Sequence, residues 1–362
     1  MTSDKLSDLS QRTVNDAVSS RYAEGATAVV PELCCPVSYD GKYLELLPQE
    51  ILDRDYGCGD PSQFVNEGET VLDLGSGGGK ICYIASQIVG PEGAVIGVDM
   101  TPDMLDLARG HQQQMADKIG WNNTQFFRGQ IENLKLDLDK LDGWLASNTV
   151  SDIDSMQTMQ AEATRLENEE TMIADNSVDV VVSNCVLNLV APSLKHQLFD
   201  EIFRVLKPGG RAVISDIVSS ARVPEEMQKD SELWSGCISG AFEEADFIQA
   251  FVDAGFVGVT SVVRQKEAWQ IVEEIEFRSL TVIAYRPLSA PCCAAGGDVM
   301  YNGPFEEVSD ESGMVFIRGE RVAVDAGQLA TFNKEPYSKM FTCFDDSGSD
   351  VSQGDTKSGG CC

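Results

Sequence analysis

The chain has 362 residues, 43% hydrophobic and 7% aromatic, which is enough for a core and for more than one domain. Its 58 acidic against 27 basic side chains leave a formal charge of -31, which repels phosphate backbones and anionic membranes and argues against nucleic-acid or lipid-surface substrates. Eleven cysteines behind an N-terminus "MTSDKLSDLS" with no basic or apolar signal region point to reduced, cytoplasmic thiols rather than a disulfide framework.

Residues 1–66 read as an irregular, partly helical cap, with "CCP" at 34–36 and a Gly- and Pro-bounded loop around Cys58. Strand and helix then alternate. "TVLDLG" is a first strand, and "KICYIASQIVG" a helix with Ile81, Ile84, Ala85 and Ile88 on its apolar face. "GAVIGVD" is the second strand, and Thr101 then caps a helix that opens on Pro102. "TQFFRG", "VDVVVSN" and "RAVISDIV" are the third, fourth and fifth strands. Between the third and fourth, an acidic insertion at about 137–174 should loop out with one exposed helix near "SMQTMQAEATRLENEE". "FEEADFIQAFVDAGF" is an amphipathic helix, followed by the strands "VGVTSVVR" and "RSLTVIAYR". The fold class is α/β, a doubly wound, mostly parallel sheet over 67–287. Residues 297–345 read as a small C-terminal domain of strands and turns, and 346–362 as a disordered, Cys-ended tail. The longest apolar run, "VDVVVSNCVLNLV", is too short and too polar to span a bilayer.

The loop "DLGSGGG" joins a buried strand to a helix, and glycines 75, 77 and 79 let backbone approach a ligand where a Cβ would clash. A dinucleotide fingerprint counted from Gly75 would place a small residue where Lys80 stands, so that reading fails on spacing. Asp99 ends the second strand, 99 − 75 = 24 residues on, where a carboxylate can hold both ribose hydroxyls. With "FFRGQIENL" and "LKPGGR", the set resembles the class I, Rossmann-like S-adenosyl-L-methionine-dependent methyltransferases. The resemblance implies a cofactor site made of Asp73, Gly75, Ser76, Gly77, Asp99 and Asn184, with Met100 and Ile131 flanking the adenine and Glu132 facing its amino group.

Cys185 directly follows the fourth strand, at the carboxyl edge where open α/β sheets bind ligands. Cys237 lies about twenty residues past the fifth strand, and Cys58 lies in the segment that crosses the same edge. Buried free cysteine is ordinarily a small hydrophobe, but the glycines near Cys58 and Cys237 suit accessible loops. His111 and His196 fall on predicted surface helices, leaving no general base of the usual kind. Three converging thiolates suit a soft, thiophilic atom that carries its own lone pair.

"YGCG" at 56–59, "SNCVLNLV" at 183–190, "LWSGCISGA" at 233–241 and the terminal "GGCC" together resemble the arsenite S-adenosylmethionine methyltransferases over roughly residues 10–345. The resemblance implies arsenite and methylarsenite substrates, arriving as thiol conjugates, with Cys58, Cys185 and Cys237 handling trivalent arsenic. It also implies Cys34 or Cys35 as an upstream thiol, Tyr56 on the methyl path, and glutathione or thioredoxin as reductant to a monomeric enzyme. The acidic insertion departs from the family pattern, as does Asp55 in a place where an aromatic is common. Two rival readings are a methyltransferase acting on carbon in a quinone or sterol, and a thiol-based metalloid sequestration protein. Dispersed rather than clustered cysteines weigh against the second.

Overall fold

The computed structural model describes residues 22, 23, 25, 37, 39–54, 56–228, 230, 233, 234, 236–288 and 295–352; Cys34, Cys35, Cys292, Cys293, Cys361 and Cys362 lie outside them. The central sheet is built from β1 (Thr70–Leu74), β2 (Ala94–Asp99), β3 (Thr124–Arg128), β4 (Val178–Asn184), β5 (Leu206–Ser219), β6 (Phe242–Glu243), β7 (Val257–Arg264), β8 (Gln270–Val272) and β9 (Ile275–Tyr285). Its order is β3-β2-β1-β4-β5-β9-β7. The pairs from β3 to β5 are all parallel, and β9 runs antiparallel to both β5 and β7. Strand order reverses between β1 and β4, so their carboxyl ends leave the crevice in which such sheets place ligands.

Val71, Leu72, Leu74, Val180, Val181 and Val182 are fully buried, because helices cover both faces of these strands. One face packs Leu72 and Val181 with Leu198, Ile202, Phe247, Phe251 and Phe256. The other packs Val71 and Val180 with Ile81, Ile84, Leu105 and Met115. The helix Lys80–Val89 is buried on nearly every side, Cys82 and Tyr83 included, rather than along the single stripe expected of it. Pro102–Ile119 buries Met104, Leu105, Ala108 and Met115, while Ile119, expected from its spacing on the same face, is only half-buried.

The acidic insertion holds two helices, Leu138–Leu145 and Ile153–Glu169, where one was expected. The missed signal is Asp137, whose carboxylate caps the first by accepting from Asp139 and Lys140 backbone N–H groups. A capping box between Asp152 and Ser155 starts the second. The insertion returns to the body through Leu166 and Ile173, both buried, instead of looping free.

Past residue 295, β10 (Gly297–Tyr301) pairs antiparallel with β13 (Arg321–Val324) and β14 (Phe341–Phe344), and β11 (Glu307–Ser309) forms a hairpin with β12 (Val315–Ile317). A helix at Ala326–Phe332 adds to the expected strands. Val299, Tyr301, Phe316, Phe332, Phe341 and Cys343 form a separate core. The tail expectation begins too early. Residues 346–352 fold back because the Asp345 carboxylate accepts from Ser347 and Ser349 N–H groups and Val351 N–H donates to Cys343 O at 2.9 Å. No helix among the described residues is long and apolar enough to cross a membrane.

Phe251 is fully buried with its ring 4.8 Å from Phe199, 5.4 Å from Phe247 and 5.7 Å from Phe256. Phe251→Ala should cost about 3–5 kcal/mol in urea unfolding. A loss under 1 kcal/mol would show that this cluster does not hold the helix layer.

Candidate active site

The carboxyl ends of β1, β2 and β4 open on a cleft of about 1060 Å³, counted out to its mouth. Asp73, Gly75, Ser76, Gly77, Asp99, Met100, Ile131, Glu132 and Asn184 all line it, and so do Tyr56 and Cys185. Gly75 has φ +69, and a Cβ there would stand 2.5 Å from the Val186 side chain, so only glycine lets the loop pass under the β4 turn. Asp99 accepts from Gly77 N–H at 2.9 Å and from Thr101 N–H at 2.8 Å. Burial raises its carboxyl from the ordinary range, and the bonds from Thr101 and Gly77 oppose that rise. Thr101 starts the helix as expected, but its side chain makes no capping bond and serves Asp99 instead. Burial likewise raises Glu132. Ser76 Oγ is buried with no hydrogen-bond partner among the described residues. An orphaned hydroxyl, two carboxylates and a glycine floor fit a polar nucleoside-type ligand.

Cys58 and Cys237 do not line this cleft; they lie beside it and meet Cys185 in one buried cluster. The sulfurs of Cys58 and Cys185 and a carboxylate oxygen of Asp216 lie within 4.8 Å of one another. The Cys237 thiol donates to Cys185 O at 3.3 Å. Cys58, Cys185 and Cys237 are 6%, 5% and 3% exposed as residues, so the accessible loops expected from the neighbouring glycines are closed in this structure. Those glycines serve close packing. A Cβ on Gly57 would meet the Asn184 amide at 2.0 Å.

Cys185 and Cys237 both have left-handed backbone, with φ 66 and φ 61. Non-glycine residues held there cost about 1–3 kcal/mol each and persist where surrounding structure enforces them. Here Cys185 N–H donates to Ser215 O at 2.8 Å and Cys237 N–H to Trp234 O at 3.0 Å. Hydrogen bonding to Cys237 and Cys58, then burial, pushes the Cys185 thiol well up, and burial pushes Cys58 up. Both rest as neutral thiols. Asn184, expected to face a cofactor, lines the cleft but commits its amide elsewhere: its oxygen accepts from Cys58 N–H (2.9 Å) and Gly59 N–H (3.0 Å), and its nitrogen donates to Gly59 O (2.8 Å). Tyr56 donates to Gly25 O at 3.0 Å.

Sequence reasoning missed four residues here. Asp216 is fully buried below the thiols, and Asn188 donates to it. Lys195 lies 3.8 Å over the Phe242 ring and donates to Gly240 O; burial lowers its ammonium to about 8. Tyr22 packs edge-on against Tyr56, its ring centroid 6.1 Å away, and its hydroxyl is raised well up by burial and by Cys237 and Cys185. Asp216 could have been suspected as an acid inside the apolar strand "AVISDIV"; the others carry no local signal. His111 and His196 lie away from the cleft, bonded to Glu50 and Asp200. Cys82 donates to Asp73 at 3.2 Å inside the first helix.

A methyltransferase-domain family model matches residues 65–174 and 156–274, and a domain of unknown function, DUF8838, matches 289–361. An arsenite methyltransferase of Mus musculus is 30% identical over 317 residues, 84% of this chain and 74% of its own length. One from Halobacterium salinarum is 39% identical over 209 residues, 57% of this chain; that match spans 42% of the relative's length. The crystal structure of CrArsM, an arsenic(III) S-adenosylmethionine methyltransferase from Chlamydomonas reinhardtii, aligns with a TM-score of 0.57 at 26% identity, covering 88% of this chain and 99% of that one.

Raised, buried thiols react slowly, since the thiolate is the nucleophile. Alkylation of Cys58 and Cys185 by iodoacetamide, followed by peptide mass spectrometry, should be slow at pH 7 and still climbing with pH, without a plateau, at pH 9. Asn184→Ala frees the Cys58 loop and should speed its alkylation at least tenfold. Fast labelling of wild-type Cys58 at pH 7 would contradict the closed, neutral site.

Proposed function

This chain belongs to the arsenite methyltransferase family, and on that premise we propose that it transfers a methyl group from S-adenosylmethionine to trivalent arsenic held by Cys58, Cys185 and Cys237. The observation that carries the reading is the meeting of three thiols from distant segments beside a nucleoside-type cleft. Asp99 would hold the ribose hydroxyls, Met100 and Ile131 flank the adenine, and Glu132 face its amino group. Asp73 and the Gly75–Ser76–Gly77 turn complete the cradle, while Asn184 serves it indirectly by fixing Cys58. When bound, S-adenosylmethionine supplies a methyl made electrophilic by its sulfonium.

Cys58 and Cys185, pushed up to rest as neutral thiols, are suited to capture. Three thiols displace three hydroxyls from arsenous acid and release three waters, or displace three glutathiones from a conjugate as free thiols. No net proton moves in either case, so no general base is needed. The thiolates aim the arsenic lone pair into the cleft along a path lined by Tyr56. Positioning is the main catalytic task, since the lone pair is already a nucleophile. The lone pair forms the As–C bond, and the C–S bond breaks with its electron pair going to the donor sulfur. Arsenic is then formally pentavalent. Coupling of two cysteine sulfurs as a disulfide returns two electrons to it, water or glutathione fills the vacated valence and gives up a proton, and glutathione or thioredoxin restores the thiols. Such chemistry needs a reducing compartment, which suits a cytoplasmic role in arsenic detoxification and a second round on methylarsenite.

Labelled S-adenosylmethionine with arsenite and glutathione should give methylated arsenicals on speciation chromatography, and no labelled product would overturn the reading. Arsenite can use three thiolates and monomethylarsenite only two. Cys58→Ser should therefore lose the first methylation and keep the second, whereas Cys185→Ser and Cys237→Ser should lose both. A Cys58→Ser protein converting arsenite at the wild-type rate would sink the three-thiolate arrangement. Asp99→Asn should weaken S-adenosylmethionine by about 1.5–3 kcal/mol in calorimetry, and unchanged affinity would remove Asp99 from the cradle.

A further inference from the structure

The steps above leave Asp216 without a task. Its carboxylate lies fully buried, within 4.8 Å of both the Cys58 and Cys185 sulfurs. Oδ1 accepts from Ile217 N–H and Asn188 Nδ2, each at 2.8 Å; Oδ2 accepts from Leu187 N–H at 2.8 Å and Asn188 N–H at 3.3 Å. Four donors for two oxygens favour the anion. Burial raises the group from its ordinary value, and those bonds and the pull of Lys195 oppose that rise.

We infer that Asp216 is the counter-charge of the methyl transfer. The inference rests on the arsenic reading. When the arsenic lone pair takes the methyl and the C–S electron pair returns to the donor sulfur, one positive charge moves from sulfur to arsenic. Arsenic bonded to the two sulfurs carries that charge beside the carboxylate, in a water-excluded pocket where a fixed opposite charge acts strongly. Four hydrogen bonds already hold the carboxylate in place, so it need not reorganise as the charge arrives. Capture of arsenic by neutral thiols shifts no charge and gains nothing from Asp216. The residue therefore separates rate from affinity.

The test compares wild type, Asp216→Asn, which keeps an acceptor oxygen but no charge, and Asp216→Glu, which keeps the charge while disturbing the hydrogen bonds. Single-turnover methylation of pre-bound arsenite should fall about 100-fold in Asp216→Asn, with arsenite affinity within about threefold of wild type. A readout free of turnover uses the analogue sinefungin, which carries an ammonium where the sulfonium methyl belongs, against neutral S-adenosylhomocysteine. Calorimetry should show the preference for sinefungin falling severalfold in Asp216→Asn and surviving in Asp216→Glu. An unchanged rate in Asp216→Asn overturns the inference. Equal weakening of both ligands together with lost arsenite affinity also overturns it, because that is the mark of a purely structural role. Wild-type protein that binds sinefungin no tighter than S-adenosylhomocysteine overturns it without any substitution. If wild type fails to methylate arsenite, the arsenic reading falls, while the sinefungin preference still reports the charge separately.

Discussion

The carboxyl ends of β4 and β5 carry the constraint on which the rest depends. Three sulfurs must arrive from three remote segments, and neighbouring hydrogen bonds there fix all of them. Asn184 binds the Cys58–Gly59 backbone, the Ser215 carbonyl holds the Cys185 N–H, and Asp216 gathers Leu187 and Asn188. Asn188 in turn donates to Ile217 O and, at 3.4 Å, to Cys237 O. Each bond is worth only about 1 kcal/mol net. Left unmade inside a dry site, each costs more than that, which is why the left-handed turns at Cys185 and Cys237 persist.

Charge works at two scales. The surface is strongly acidic, with -31 overall, and many of its ion pairs are half-exposed contacts such as Arg165–Glu169 and Lys339–Glu335 that add little stability. A negative protein favours a cationic ligand in its clefts. At the thiols the opposite economy holds, because hydrogen bonding to Cys237 and Cys58, then burial, raises Cys185 and burial raises Cys58, which keeps both neutral. Asp216 is then the fixed anion beside them.

The parallel sheet, the glycine loop and the Asp99 position were legible because each rests on local chemistry: an apolar run, a turn that needs positive φ, a carboxylate at a strand end. The convergence of the cysteines was legible only through topology, since each taken alone reads as a small core residue. Burial misled the reading once. Glycines near Cys58 suggested an open loop, but they are there because Asn184 presses against Gly57. Asn184 lines the cleft, and its amide also holds that loop. Tyr22 and Lys195 act through contacts made only in three dimensions, and no spacing in the chain announces them. The helix at Leu138–Leu145 could have been read from Asp137, an N-cap overlooked among so many acidic residues.

The most direct measurement is arsenic K-edge X-ray absorption on the chain loaded with one equivalent of arsenite and S-adenosylhomocysteine, with Cys34, Cys35, Cys292, Cys293, Cys361 and Cys362 changed to serine. The account predicts arsenic bound by three sulfurs and no oxygen, with one sulfur lost in Cys58→Ser. An oxygen ligand in the first spectrum, or an identical spectrum after that substitution, would contradict it.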